Sequence, residues 1–344
     1  MNDLLKYSVV VPVFNRPSEV QELLESLATQ TFRDFEVVIV EDGSTETSEA
    51  VVKQFAGQLN ISYFYKENSG PGDSRNYGMR MARGNYFLIL DSDCILPPEY
   101  MTEVDKSLKA DYADCFGGTD TALDSFTDVQ KAINFAMTSV LTTGGVRGAS
   151  EKLGKFQPRS FNMGISERAF KASGGFGRIH PGEDPDLTIR LWKLGFETRL
   201  FKNVSVYHKR RIDWEKFYTQ VNKFGKVRPV LDRWHPEYAK ITYFFPAAFL
   251  VGGVVACVAL LPGFPYLFLL YLGYFLLCFL VSSVQNKSIK IGLMSLRAVM
   301  TQFTGYGSGF LKSFWWVRVR GKDPERVFPR LFFSQPSASD ARVS

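Results

Sequence analysis

Cysteine and histidine are both scarce, with four and three copies in 344 residues. Cys94, Cys115, Cys257 and Cys278 show neither metal-ligand spacing nor a paired framework, and the last two lie in apolar runs. This argues against a disulfide-stapled scaffold or a zinc module and suits a reducing compartment. No internal repeat is evident, and the start is no secretory signal: Met1 to Lys6 is short and polar, and Tyr7 begins a strand. The most informative absence is charge. Ile241 to Asn286 is 46 residues without Asp, Glu, Lys, Arg or His. A hydrocarbon core of ~30 Å takes roughly 20 apolar residues per helix, so the stretch fits two crossings. They are expected near 243–262 and 265–284, hinged at Pro262-Gly-Phe-Pro265.

Charge elsewhere is uneven. The net value is +6, yet residues 1–206 hold 22 basic against 28 acidic side chains. Residues 207–240 hold 9 against 4, and residues 287–330 hold 9 against 2. The basic excess flanks the uncharged stretch, so both ends of the hairpin are expected in the cytoplasm, with membrane lipids as neighbours. An acidic balance over the first 206 residues argues against a nucleic-acid partner. Ile291 to Val317 is apolar but carries Arg297, Gln302 and Lys312. It reads as a helix lying in the interface, with Trp315 and Trp316 at headgroup depth, or as a third span. The tail at 334–344 reads as disordered.

The first two hundred residues alternate apolar runs with helical periodicity. Strands are expected at Tyr7 to Val13, Phe35 to Val40, Ile61 to Tyr65 and 86–90. Helices are expected after Ser18, over 46–57 and over 73–83. This order predicts an α/β fold with a parallel, doubly wound sheet. Three strands end in polar residues: Asn15-Arg16, Glu41-Asp42, and Asp91 with Asp93. The carboxyl ends of parallel strands are where such sheets bind ligands. Two carboxylates as close as Asp91 and Asp93 are either solvated or share a cation. Gly70 to Gly72 leads into a helix whose amino end favours an anion, and Arg75 on its first turn suits a diphosphate.

The ordered set Val9-Val-Val-Pro-Val-Phe-Asn15, Val40-Glu-Asp-Gly-Ser44, Gly72-Asp-Ser-Arg-Asn76, Leu90-Asp-Ser-Asp93, Asn162-Met-Gly-Ile165, Gly174-Gly-Phe176 and Gly182-Glu-Asp-Pro-Asp-Leu187 resembles the family 2 glycosyltransferases over about residues 7–225. That family implies the Rossmann-like GT-A fold and inverting transfer of a sugar from a nucleotide-diphosphate donor. By resemblance, Pro12 and Phe14 border the base, Asp42 meets the uracil or ribose, and Arg75 meets the diphosphate. Asp91 lies near ribose and metal, Asp93 binds Mn²⁺ or Mg²⁺, and His208 completes the metal site. Asp184 is the expected general base, with Glu183 beside it positioning the acceptor, and Asn162 and Met163 line the acceptor pocket. Glu41 stands where aspartate is common, and Phe14 where tyrosine is. Trp192 sits at core spacing on its helix, and His180 and His235 match no motif.

The expected organisation is therefore a catalytic domain at 1–235, a transmembrane hairpin at 241–286, and an interfacial or third helix with a basic tail at 287–333. The expected activity is an inverting, metal-dependent glycosyltransferase with a lipid-linked or saccharide acceptor at the cytoplasmic face of a membrane. Two rivals remain at this point: a polyprenyl-phosphate glycosyltransferase, whose ionised acceptor needs no base, and a non-catalytic nucleotide-sugar-binding membrane scaffold.

Overall fold

The computed structural model describes residues 6–121, 127–143, 156–208 and 213–333. The chain divides into two units. The first is built from residues before 124, from 154–209 and from 332 onward; the second takes 124–153 and 210–331.

The first unit is organised by β1 (Tyr7–Val13), α1 (Pro17–Ala28), β2 (Phe35–Asp42), α2 (Glu49–Phe55), β3 (Ile61–Lys66), α3 (Pro71–Met81) and β4 (Tyr86–Leu90). β1 pairs parallel with β2 and β4, and β2 with β3. β2 and β4 are buried at every position, as strands covered on both faces must be. Alternate residues serve alternate faces: Val9, Val11 and Val13 pack with Leu23, Leu24 and Leu27 of α1, whereas Val10 packs with Met79 of α3. α3 starts two residues earlier than periodicity suggests. Pro71, which lacks an N–H, occupies the first helical turn, where that donor would go unused. α2 is shorter than expected.

After β4 come β5 (Cys94–Ile95), α4 (Tyr100–Ala110) and β6 (Cys115–Thr121). In the second unit the chain forms α5 (Asp128–Thr138) and α6 (Val140–Thr143), then returns as β7 (Asn162–Ser166), α7 (Glu167–Ser173), α8 (Glu183–Lys193) and β8 (Thr198–His208). The sheet order is β3-β2-β1-β4-β7-β6-β8-β5. The wholly parallel expectation holds for the first four strands and is corrected beyond them. β7 runs antiparallel to β4, with Leu90 opposite Asn162, and antiparallel to β6. β6 and β8 are parallel, and β5 pairs antiparallel with β8.

The second unit is helical: α5 and α6 with α9 (Trp214–Trp234), α10 (Phe245–Ala259), α11 (Tyr266–Gln285) and α12 (Ile289–Ser313). Among the described residues, two helical stretches are long and apolar enough to cross a membrane. These are Ile241–Ala259, with mean hydropathy 2.1, and Tyr266–Gln285, at 2.3. α12 is flanked by α5, α9, α10 and α11, and buries Ile291, Ser295, Ala298, Gln302 and Phe303 at helical spacing. Phe249 stacks on Phe303 at 4.3 Å, Ser282 and Ser295 share a hydrogen bond of 2.6 Å, and Asn222 Nδ2 donates to the Gly305 carbonyl at 3.0 Å. A π-helical turn, Phe314–Val319, continues α12 and leaves Trp315 and Trp316 exposed. The expected tail, 334–344, lies outside the described residues.

Candidate active site

The strand register brings the polar ends together. Val13 pairs with Glu41 and Val10 with Ile89, so Phe14, Asp42 and Asp91 follow at one carboxyl edge. Phe14 is half exposed there, an apolar ring facing solvent, and Pro12 is partly buried beside Val40. The loop after β1 is tied down: Asn15 Oδ1 accepts from the backbone of Thr45 and Glu46, and Asn15 N donates to Ser44 Oγ. Glu41 braces the same loop. It is wholly buried, and it accepts from Ser44 Oγ, Ser48 N and Tyr63 Oη.

Asp42 faces the loop before α3. Its Oδ1 accepts from Lys66 Nζ at 2.7 Å and Ser69 N at 2.9 Å, and its Oδ2 from Gly70 N at 3.0 Å. This buried carboxylate therefore shapes the loop before α3.

Arg75 is at the centre. Its side chain is 5% exposed, which requires its charge to be matched nearby. Nη2 lies 2.8 Å from Asp91 Oδ1, and Nη1 lies 3.3 Å from Glu183 Oε1. The guanidinium also lies over the Phe176 ring, and Nε is buried without a partner. Arg75 thus connects the end of β4 to the start of α8.

Glu183 and Asp184 open α8 behind Gly182. Glu183 is buried, and burial alone would raise its pKa. The His180 hydrogen bond and charge, together with Arg75, outweigh that and hold the group well below the usual carboxylate range. His180 Nδ1 lies 2.9 Å from Glu183 Oε1. Asp184 moves the other way. Burial, and then the neighbouring Glu183 charge, raise it to about 6, against a partial offset from Arg75. Ser160 N donates to its Oδ2 at 3.2 Å, and its Oδ1 is enclosed with no hydrogen-bond partner. The two adjacent carboxyl groups are thus pushed apart in pKa.

Asp93 is partly buried, and Arg16 Nη1 lies 3.6 Å from its Oδ2. The backbone of His208 pairs with Cys94, the residue after Asp93. The His208 side chain lies outside what the structure describes. Among the described residues no group of three or more His, Cys, Asp or Glu side chains converges as a metal cage. The donors present at the rim, Asp91 and Asp93, are hard carboxylate oxygens. This chemistry fits Mg²⁺ or Mn²⁺ completing its shell with substrate phosphates.

Asn162 and Met163 are buried. Asn162 Oδ1 accepts from Tyr100 Oη, and its Nδ2 donates to the carbonyls of Thr119 and Val204. Met163 belongs to the core with Val10 and Ile89. Both side chains are thus engaged in holding the sheet. Trp192 is likewise buried, with Nε1 donating to Thr198 Oγ1. Sequence reasoning placed Arg16 at the polar edge without its partner Asp93, and it missed Lys66 and His180. His180, three residues before Glu183, is close to it in the chain and meets it from the turn ahead of α8.

Residues 8–172 match the family model described as Glycosyl transferase family 2. The chain carries a family 2 glycosyl transferase domain. The match covers the strand ends up to Asp93 and stops short of Glu183 and Asp184. An uncharacterized glycosyltransferase of Rickettsia bellii (strain RML369-C) is 41% identical over 88 residues, 26% of this chain and 13% of that protein. Glycosyltransferase GlyA of Streptococcus pneumoniae serotype 4 is 36% identical over 110 residues, 32% of this chain and 16% of that protein. The poly(ribitol-phosphate) beta-N-acetylglucosaminyltransferase TarS of Staphylococcus aureus (strain Mu50) is 36% identical over 104 residues, 29% of this chain and 18% of TarS. The matched regions thus span less than about a fifth of these relatives.

Among solved structures, the mannosyltransferase PcManGT from Pyrobaculum calidifontis, in complex with GDP-Man and Mn²⁺, superposes with a TM-score of 0.64 at 15% identity over 88% of each chain. S. aureus TarS 1–349 gives 0.50 at 17% identity over 92% of each. Identities this low speak for the fold alone. The glycosyl transferase domain therefore has a GT-A-like mixed α/β fold, with two apolar helices beyond it as candidate membrane spans.

Proposed function

We propose that this family 2 domain transfers a sugar from a nucleotide-diphosphate donor to a hydroxyl group, with inversion, using Asp184 as general base. The observation that carries this reading is Asp184 itself. One oxygen is fixed by Ser160 N, and the other is enclosed and unpartnered on a carboxyl group raised to about 6. A group with that pKa is ionised near neutrality and still basic enough to take a hydroxyl proton. Glu183, held ionised by His180 and Arg75, orients the acceptor without competing for its proton. Inversion requires attack opposite the leaving group, which places the base across the cleft from the diphosphate. Asp42 and the amides at Ser69 and Gly70 frame the nucleoside side, with Phe14 and Pro12 against the base. Arg75, with its unpartnered Nε, meets the diphosphate.

Asp91 and Asp93 would hold Mn²⁺ or Mg²⁺, with His208 as third ligand. Bound there, the ion would supply positive charge to the departing diphosphate. The Mn²⁺ and GDP-Man in the PcManGT complex support a divalent ion and a nucleotide-sugar donor.

The acceptor is proposed to be lipid-linked or a growing saccharide at the cytoplasmic face of a membrane. The candidate spans Ile241–Ala259 and Tyr266–Gln285, flanked by basic segments, support this, as does the packing of α5 against α12 beyond them. The test is a screen of nucleotide sugars with full-length protein in detergent, with and without Mn²⁺, reading diphosphate release. Release from none of them sinks the proposal. Near-normal turnover by Asp184→Asn would point instead to a phosphate acceptor.

A further inference from the structure

We infer that the segment following the helical unit, Phe332–Phe333, is part of the donor site, and that Phe333 positions the loop on which Asp42 rests. The inference depends on the reading of the cleft as a nucleotide-diphosphate site. The observations are local to the first unit. Phe332 forms an antiparallel bridge with Ile179, and Phe333 N donates to the Arg178 carbonyl at 3.1 Å. These two contacts hold the chain beside the segment leading into Glu183. The Phe333 ring then lies directly on Gly70. A β-carbon at Gly70 would fall 2.3 Å from two of its ring atoms, and Gly70 has φ +93. No other residue allows both this backbone conformation and this ring contact.

Gly70 is the residue whose N–H meets Asp42 Oδ2, and Ser69 before it donates to Oδ1. Pressing on Gly70 therefore presses on the amide pair that fixes the Asp42 carboxylate. The Phe333 ring also lies near His180, with ring centroids 6.1 Å apart, and His180 is the partner of Glu183. One aromatic ring thus touches the loop after β3 and neighbours the turn that carries the acidic pair. A phenyl ring offers no hydrogen bonds there. Its contribution is volume and stiffness, which keep the loop closed around a nucleoside diphosphate before the donor arrives.

The test compares full-length wild type, Phe333→Ala and Phe333→Tyr in detergent. Phe333→Ala is expected to raise donor KM about tenfold, with kcat and acceptor KM within about twofold, and Phe333→Tyr to retain wild-type values. Titration of UDP and GDP into the same proteins, without turnover, is expected to show the same weakening for Phe333→Ala with whichever nucleotide the wild type binds. Unchanged binding and donor KM would overturn the inference, and so would a lowered donor KM, since the ring would then obstruct the site. Loss confined to kcat would also overturn it. Failure of the wild type to turn over or bind any donor would sink the parent reading instead.

Discussion

Arg75 and Glu183, 108 positions apart in the chain, meet at 3.3 Å in the interior of the first unit. The same guanidinium holds Asp91, so a single cation balances carboxylates from two separate elements. Replacing it by Met should be strongly destabilising. Leaving such charges buried without their partner costs about 3–5 kcal/mol, measurable by denaturant unfolding in detergent. Lys at the same position keeps charge but cannot fork to both carboxylates. It should fold and lose most turnover, and a fully active Arg75→Lys enzyme would contradict the bridging role.

Asp184 should set the acid limb of the rate profile. The base must be deprotonated, so kcat/KM should rise with pH through about 6. Glu183→Gln removes one of the charges that raise Asp184, so the limb should move to lower pH. Asp184→Asn should abolish the limb and cost about 10²–10⁴-fold in rate. The stability consequence has a definite sign. The folded state holds this proton more tightly than the unfolded chain does. The stability so gained is present below the ordinary carboxylate value and disappears as pH rises through about 6.

Asn162→Ala should act on stability rather than on the acceptor. It strips partners from Tyr100 Oη and from two strand carbonyls, and unsatisfied buried groups cost about 1–3 kcal/mol each. Unfolding should shift while acceptor KM stays constant. A changed acceptor KM with unchanged stability would restore Asn162 to the binding surface.

Chelation of divalent ions should stop sugar transfer, and added Mn²⁺ or Mg²⁺ should restore it in the wild type. Asp93→Ala should fall by on the order of 10²–10³ in kcat and recover little with excess ion. Full activity of chelated protein would remove the metal from the scheme.

Much of this layout was legible from residue order alone. Val9 to Val13 and Phe87 to Leu90 could only be strands covered on both faces, and the polar residues just beyond them had to share an edge. β6 is not among the expected strands, and it carries Gly117 and Gly118. In the fold they are the reason the strand fits: a β-carbon on Gly118 would lie 2.0 Å from the Val204 carbonyl, and one on Gly117 2.7 Å from the Phe156 ring. The antiparallel insertion of β7 also escaped prediction, since strand direction depends on where the chain goes between residues 121 and 162. The partners of Asn162 were not legible either, since Tyr100, Thr119 and Val204 come to it from distant parts of the chain. The α12 sequence carried charge and glycine, which suggested an interfacial helix or a third span. Its glycine and serine positions let neighbouring helices come close.

The first unit is completed by chain made in three instalments, the last of which comes after both apolar helices. During synthesis, β4 therefore waits with one flank bare until β7 leaves the ribosome, and Phe333 arrives only after the hairpin has been made. Where insertion of the hairpin into a bilayer accompanies translation, the final clasp on Gly70 would close on a protein already delivered to its destination.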